Sequence, residues 1–196
     1  ISGKTALISG AGAGLGKAIA LRLASLGVNL ILCGRNLTSL NETKEGCAKN
    51  VDIQIYEVDV KNEESVQSLM KKIDTLDYLI NNACPLNKGI DTCTYEEFCY
   101  ALNTGVTAAF YLSKLFMHHF IKGASIINIS SSRDRMSQPQ SESYSASKGG
   151  IAALTHALAV SLAHKVRVNS ISPGWIDTKN NEFEGADVTQ HLSNRI

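Results

Sequence analysis

Nowhere in the sequence does an uninterrupted apolar run approach the roughly 18 residues that a membrane span needs, and no signal-peptide pattern opens the chain. An excess of one charge is missing too. The 19 Lys and Arg against 18 Asp and Glu leave a net charge of +1, which gives no bulk attraction for nucleic acid or an anionic membrane. The five cysteines (Cys33, Cys47, Cys84, Cys93, Cys99) are odd in number and include no C-x-x-C pair, and the five histidines share no ligand-like spacing. Neither a disulfide framework nor a metal site is expected, and such thiols suit a reducing compartment, so the chain reads as cytoplasmic. Internal repeats, low-complexity tracts and linkers are absent as well. With 196 residues, 44% of them apolar, one domain over residues 1–196 can bury a single core.

What is present is a regular alternation. Short runs at Lys4–Ser9, Asn29–Cys33, Asp52–Val58, Leu76–Asn81, Ser125–Ser130 and Val166–Ile171 read as strands, most of them near-continuously apolar, as strands covered on both faces are. Between them, Leu15–Leu26, Leu37–Lys49, Glu63–Lys72, Tyr95–His119 and Tyr144–Ala163 read as helices. Several carry end signals: Asn62 as an N-cap before Glu63 and Glu64, Thr94-x-x-Glu97 as a capping box, and Gly27 as a stop. Strict alternation predicts an α/β fold, a parallel doubly wound sheet whose ligand lies beyond the carboxyl ends of the strands. Function is therefore to be sought in the residues that follow each strand.

The first such segment, SGAGAGLGKA from Ser9 to Ala18, has glycine at every second position from Gly10 to Gly16. It fails the common G-x-G-x-x-G spacing, because Leu15 stands where the third glycine belongs. A glycine-rich turn between strand and helix can hold a phosphate on backbone N–H groups, or it can be only a tight turn. Farther along, Tyr144 and Lys148 stand four residues apart on one helix face just beyond a strand end, with Ser131 at the end of that strand. A cation beside a phenol favours the phenolate, so this pair is a candidate for proton exchange with a hydroxyl or carbonyl.

Taken together, Ser9-Gly10-x-x-x-Gly14-x-Gly16, Asp59-Val60, Asn81-Asn82-Ala83, Asn103, Asn128-Ile-Ser-Ser131, Tyr144-x-x-x-Lys148, Asn169 and Pro173-Gly174-x-x-x-Thr178 resemble the short-chain dehydrogenases/reductases in order and spacing. The resemblance covers essentially the whole chain and implies a Rossmann-type fold. It also implies that Ser9, Gly10, Gly14, Leu15 and Gly16 lie at the cofactor pyrophosphate, with Gly12 the extra glycine. Asp59 and Val60 would meet the adenine, and Asn81 and Ala83 would line the cofactor. Pro173, Gly174, Ile176 and Thr178 would hold its nicotinamide end. Tyr144 would be the general acid/base, Ser131 would hydrogen-bond the substrate oxygen, and Lys148 would hold the ribose while lowering the tyrosine pKa. Asn103 would position a water that relays protons to Lys148.

No acidic residue follows the second strand, where an NAD site usually keeps one, and Arg35 there suits a 2′-phosphate, so NADP is favoured over NAD. Cys84 departs from the glycine that relatives write after Asn-Asn-Ala. The segment SRDRMSQPQSES, from Ser132 to Ser143, is either an exposed polar loop or a wall at which Arg133 or Arg135 meets a hydroxylated or anionic substrate. Trp175, Phe183 and residues 178–196 fall where the family's substrate lid begins, and a C-terminal piece is expected to be missing. The apolar excess on the Tyr95 and Tyr144 helices predicts a homodimer or homotetramer. The leading expectation is hydride transfer between a nicotinamide and a small alcohol or ketone. The alternatives are a non-catalytic NAD(P)-binding sensor and an epimerase or dehydratase on a related scaffold.

Overall fold

The computed structural model describes residues 1–176. Its elements run β1 (Thr5–Ser9), α1 (Gly14–Ser25), β2 (Asn29–Gly34), α2 (Leu37–Gly46), β3 (Ile53–Glu57), α3 (Glu63–Met70), β4 (Leu76–Asn81), α4 (Tyr95–Leu102), α5 (Ala108–Leu115), β5 (Phe120–Ile129), α6 (Glu142–Ser161) and β6 (Arg167–Ile171). The strands form one sheet in the order β3-β2-β1-β4-β5-β6, and every neighbouring pair is parallel. The α/β doubly wound, Rossmann-type expectation holds.

β1 and β2 are largely apolar because each face of the sheet has its own core. Ala6 and Ile8 of β1, with Leu30 and Leu32 of β2, pack with Ala20, Ala24 and Leu40 on one side. Leu7, Ile31 and Cys33 pack with Leu69, Leu112 and Phe116 on the other. The outer strands differ. Gln54 and Glu57 of β3 are exposed, and so are all residues of β6 except Val168. Among the described residues these two strands are the sheet edges, with less of the sheet and its helices to cover them.

Local signals act as read. Asn62 Oδ1 accepts from Ser65 N at 2.7 Å, Thr94 and Glu97 form a reciprocal capping box, and Gly27 ends α1 with a φ of +79°. Two boundaries move. The helix expected over 95–119 is interrupted by a π-helical turn, Asn103–Thr107, and finishes in a 3₁₀ turn, Phe116–His118. The π turn lies where α6 approaches most closely: a Cβ on Gly105 would overlap Ser147 Oγ, and one on Gly150 would stand 2.7 Å from Val106 Cγ2. β5 begins earlier than expected, because Phe120 already pairs with Leu76 across an irregularity in the β4 register.

Candidate active site

Strand order reverses between β1 and β4, so the carboxyl ends of these two strands frame the crevice of the sheet. They are clasped together there. Ser9 Oγ accepts from the N–H groups of Asn82 and Ala83 at 3.0 and 3.1 Å, and Asn82 Nδ2 donates to the carbonyls of Ser9 and Gly10 at 3.0 and 3.1 Å. The Ser9 side chain is therefore spent within the protein. Asn82, not among the site residues read from sequence, fixes the glycine turn against β4; only its place beside Asn81 at a strand end signalled it.

Within the turn, Gly10 and Gly14 have φ values of +66° and +52°, a region side chains disfavour. A Cβ on Gly16 would overlap the Gly10 carbonyl oxygen, whereas one on Gly12 would meet only the hydroxyl end of Ser39. Leu15 lies half-buried in the first turn of α1 against the α1–α2 side of the core. Beyond β2, exposed Arg35 donates from Nη1 to the Tyr100 hydroxyl at 2.6 Å, and Lys61 Nζ stands 3.9 Å from the centroid of the same ring. Asp59 accepts from Lys61 N at 3.0 Å and pairs with Lys61 Nζ at 3.5 Å, while Val60 is buried in the core.

Beyond β5 the structure brings Ser131, Tyr144 and Lys148 together. Lys148 is buried, and its Nζ donates to Ile129 O at 2.7 Å and lies 5.4 Å from the Tyr144 ring centroid. The Ser131 hydroxyl is close enough to the phenol to favour its anion. Helix α6, which carries the pair, is tied to the sheet by a buried chain: Asn81 Nδ2 to Asn128 Oδ1 at 2.8 Å, then Asn128 Nδ2 to Thr155 Oγ1 at 2.9 Å. Asn81 Oδ1 is buried without a hydrogen-bond partner in a polar crevice that Ala83, Thr104 and Lys148 also line.

One expected direction reverses: burial holds the Tyr144 phenol above, not below, its ordinary value, with the Cys84 thiol acting in the same sense, while the Ser131 hydroxyl and the Arg133 charge oppose them. Burial also makes Lys148 a weaker cation by pushing its ammonium below the usual range. Asn103 is exposed at the start of the π turn, its Oδ1 accepting from Thr107 Oγ1 at 3.2 Å, and its neighbour Thr104 lines the crevice with Lys148. Asn169 is likewise exposed on β6.

After β6, Pro173 O accepts from Ser132 N at 2.9 Å, Gly174 faces open space, and Ile176 is exposed. Thr178, Phe183 and the expected lid lie outside the described residues. Exposed Cys84 follows Ala83 at the mouth of the site.

Comparison with known proteins agrees with this architecture. The pattern of the short chain dehydrogenase family matches residues 4–189. An oxidoreductase of Thermotoga maritima is 35% identical over 100% of this chain and 84% of its own length, and glucose 1-dehydrogenase 2 of Bacillus subtilis is 33% identical over 92% and 75%. A short-chain dehydrogenase/reductase of Serratia marcescens, solved as a double mutant, superimposes with a TM-score of 0.90 at 25% identity, over 98% of this chain and 82% of that one.

Proposed function

We propose that this chain, which belongs to the short-chain dehydrogenase family of oxidoreductases, is a carbonyl reductase or alcohol dehydrogenase that takes NADP in preference to NAD. The observation that carries the reading is the meeting of Ser131, Tyr144 and Lys148 beyond β5, on the carboxyl-end face of the sheet to which the glycine turn also belongs.

The backbone suits a dinucleotide, since left-handed Gly10 and Gly14 and the side-chain-free approach of Gly16 leave the start of α1 clear for a pyrophosphate. Asp59 and Val60 would take the adenine, Asn81 and Ala83 the near ribose wall, and Pro173, Gly174, Ile176 and Thr178 the carboxamide end. Arg35, held by Tyr100 beside Lys61 and with no carboxylate at the end of β2, supports the 2′-phosphate. A nicotinamide, when bound, supplies or takes the hydride exchanged with the substrate carbon. Tyr144 gives its proton to the carbonyl oxygen, and Ser131 hydrogen-bonds that oxygen and holds it in place. A phenol kept protonated by burial is suited to the acid half of this exchange. Lys148, anchored on Ile129 O, holds the ribose. Exposed Phe110 on α5 and Val160 on α6 support a homodimer or homotetramer.

The test is reduction of a panel of small ketones, followed at the nicotinamide absorbance band. NADPH should give the higher kcat/KM, and Tyr144→Phe should lower turnover by about 10²- to 10⁴-fold while NADPH still binds. Undiminished turnover in Tyr144→Phe overturns the mechanism. A cofactor-binding sensor would show binding without turnover in both proteins, and equal use of NADH removes the cofactor assignment.

A further inference from the structure

Ser131, Lys148 and Tyr144 are each held from a different part of the molecule. Ser131 caps a 3₁₀ turn, Ser132–Asp134, whose Asp134 side chain is 2% exposed and accepts from Ser130 Oγ at 3.2 Å and from Ser172 Oγ at 2.8 Å. Lys148 is fixed on Ile129 O. Tyr144 is the third residue of α6, and the start of that helix is secured from outside. Its N-cap residue, Ser141, supplies no side-chain cap, and the Ser143 N–H donates instead to Lys88 O at 3.1 Å, in the loop of residues 82–94 between β4 and α4. Ser143 is wholly buried and closes the contact with its hydroxyl. The Oγ accepts from Lys88 N at 2.7 Å and has its one proton to give to Lys88 O at 2.9 Å or Leu86 O at 3.0 Å. Glu142 adds a tie, its Oε2 accepting from Ile90 N at 2.9 Å, and a Cβ on Gly89 would overlap Gln140, so loop and helix start are packed without room between them. The same loop opens with Asn82 and Ala83, whose N–H groups are clasped by Ser9.

We infer that Ser143 is a positioning residue for proton transfer: it fastens the helix turn that carries Tyr144 to the 82–94 loop, and so sets the phenol against the wall that Ala83 gives to the cofactor. The inference rests on the reading of Tyr144 as the acid given above. The first N–H groups of a helix have no partner within it, and an uncapped first turn is weakly held. Here Lys88 O is the partner, and the Ser143 hydroxyl keeps it in place. Removing that hydroxyl leaves the buried Lys88 N–H without its acceptor, so the loop withdraws and the first turn of α6 loosens with it. Lys148, four residues deeper in the helix and bonded to β5, stays. The phenol is then displaced from a cofactor that still binds, and a misplacement of about 1 Å costs on the order of 100-fold in rate.

Three variants test this: Ser143→Ala, Glu142→Ala and Glu142→Gln. With NADPH and the small ketones of the panel, Ser143→Ala should lower the single-turnover rate of reduction by about 10- to 100-fold, while the dissociation constant of NADPH stays within about threefold. Glu142 is exposed, so Glu142→Ala leaves the core intact; it should slow reduction by about 3- to 10-fold, and Glu142→Gln, which keeps an acceptor for Ile90 N, should recover most of that loss. The second readout is a tyrosinate absorbance titration of each cofactor-free variant against its Tyr144→Phe counterpart. Around the phenol stand Lys148 Nζ and the Arg133 guanidinium carbon, 5.4 and 5.7 Å from the ring centroid, and the Cys84 thiol of the loop. A phenol released from the loop gains water and leaves the thiol, so in both alanine variants it should titrate lower than in the unaltered protein; a role in stability alone would lower the melting temperature and leave the titration in place. An unmoved phenol in both alanine variants overturns the inference, and so do rates within about twofold of the unaltered protein in both. A loss of NADPH binding as large as the loss of rate overturns it too. Where Ser143→Ala does not fold, the Glu142 pair carries both readouts. If the unaltered protein reduces no ketone, the hydride-transfer reading fails, and the titration alone decides whether the loop places the phenol.

Discussion

Two strand-to-helix turns of this molecule do comparable jobs by opposite means. Between β1 and α1, the constraints fall on the backbone: left-handed Gly10 and Gly14, Gly16 packed on the Gly10 carbonyl, and an Asn82 amide that holds the turn from the neighbouring strand. Between β5 and α6, the constraints fall on side chains: a buried Asp134 at the base, Ser131 close to the Tyr144 phenol, and Arg133 5.7 Å from the centroids of two aromatic rings. A ligand gripped through N–H groups selects for the absence of side chains. One recognised by its substituents selects for particular ones.

The comparison breaks most readily at the glycine turn. Gly16→Ala should destabilise the protein by about 1–3 kcal/mol by overpacking, and should weaken NADPH binding. Gly12→Ala should cost less than Gly16→Ala, because its Cβ would press mainly on the Ser39 side chain rather than overlap a backbone carbonyl. Denaturant melts with an NADPH titration measure both, and equal effects would remove the distinction between the glycines. On the catalytic side, a tyrosinate absorbance titration of the cofactor-free protein against Tyr144→Phe should place the phenol above its ordinary value, since burial disfavours the anion. Arg133→Ala should move it higher, because the lost cation favoured that anion; movement downward would mean that the charge is not felt there. The smallest effect is expected at Asn103→Ala. An exposed side chain bonded only to Thr107 should change stability and turnover by no more than about 0.5 kcal/mol, and a larger loss of turnover would restore it to the proton path.

These contrasts explain what could be read in advance. The parallel alternation, the caps at Asn62 and Thr94, and the glycine turn were legible because periodicity, capping chemistry and freedom from a Cβ are local properties. The orientation of Asn103 was not, because one π-helical turn changes helix phase without altering the apolar pattern around it. The raised phenol was hidden for a different reason: burial of Tyr144 depends on residues far away in sequence, whereas the lysine four positions on was visible. Which of two nearby arginines stands beside the Tyr144 ring depended on a three-residue turn and on two serines, Ser130 and Ser172, that donate to Asp134. That β3 and β6 are the edges was not legible either, because apolar content does not reveal which strands end at an edge.

Asp134 has one further consequence. It fastens the root of its loop to the ends of β5 and β6, while Met136, Ser137, Pro139 and Gln140 at the tip remain exposed. Root and tip are thereby fastened separately: Asp134, Ser130 and Ser172 hold the base, Gln138 ties the loop to Arg133 and Gln140 ties it to Asp91, so Met136, Ser137 and Pro139 are the positions that divergence or a protein engineer can rewrite.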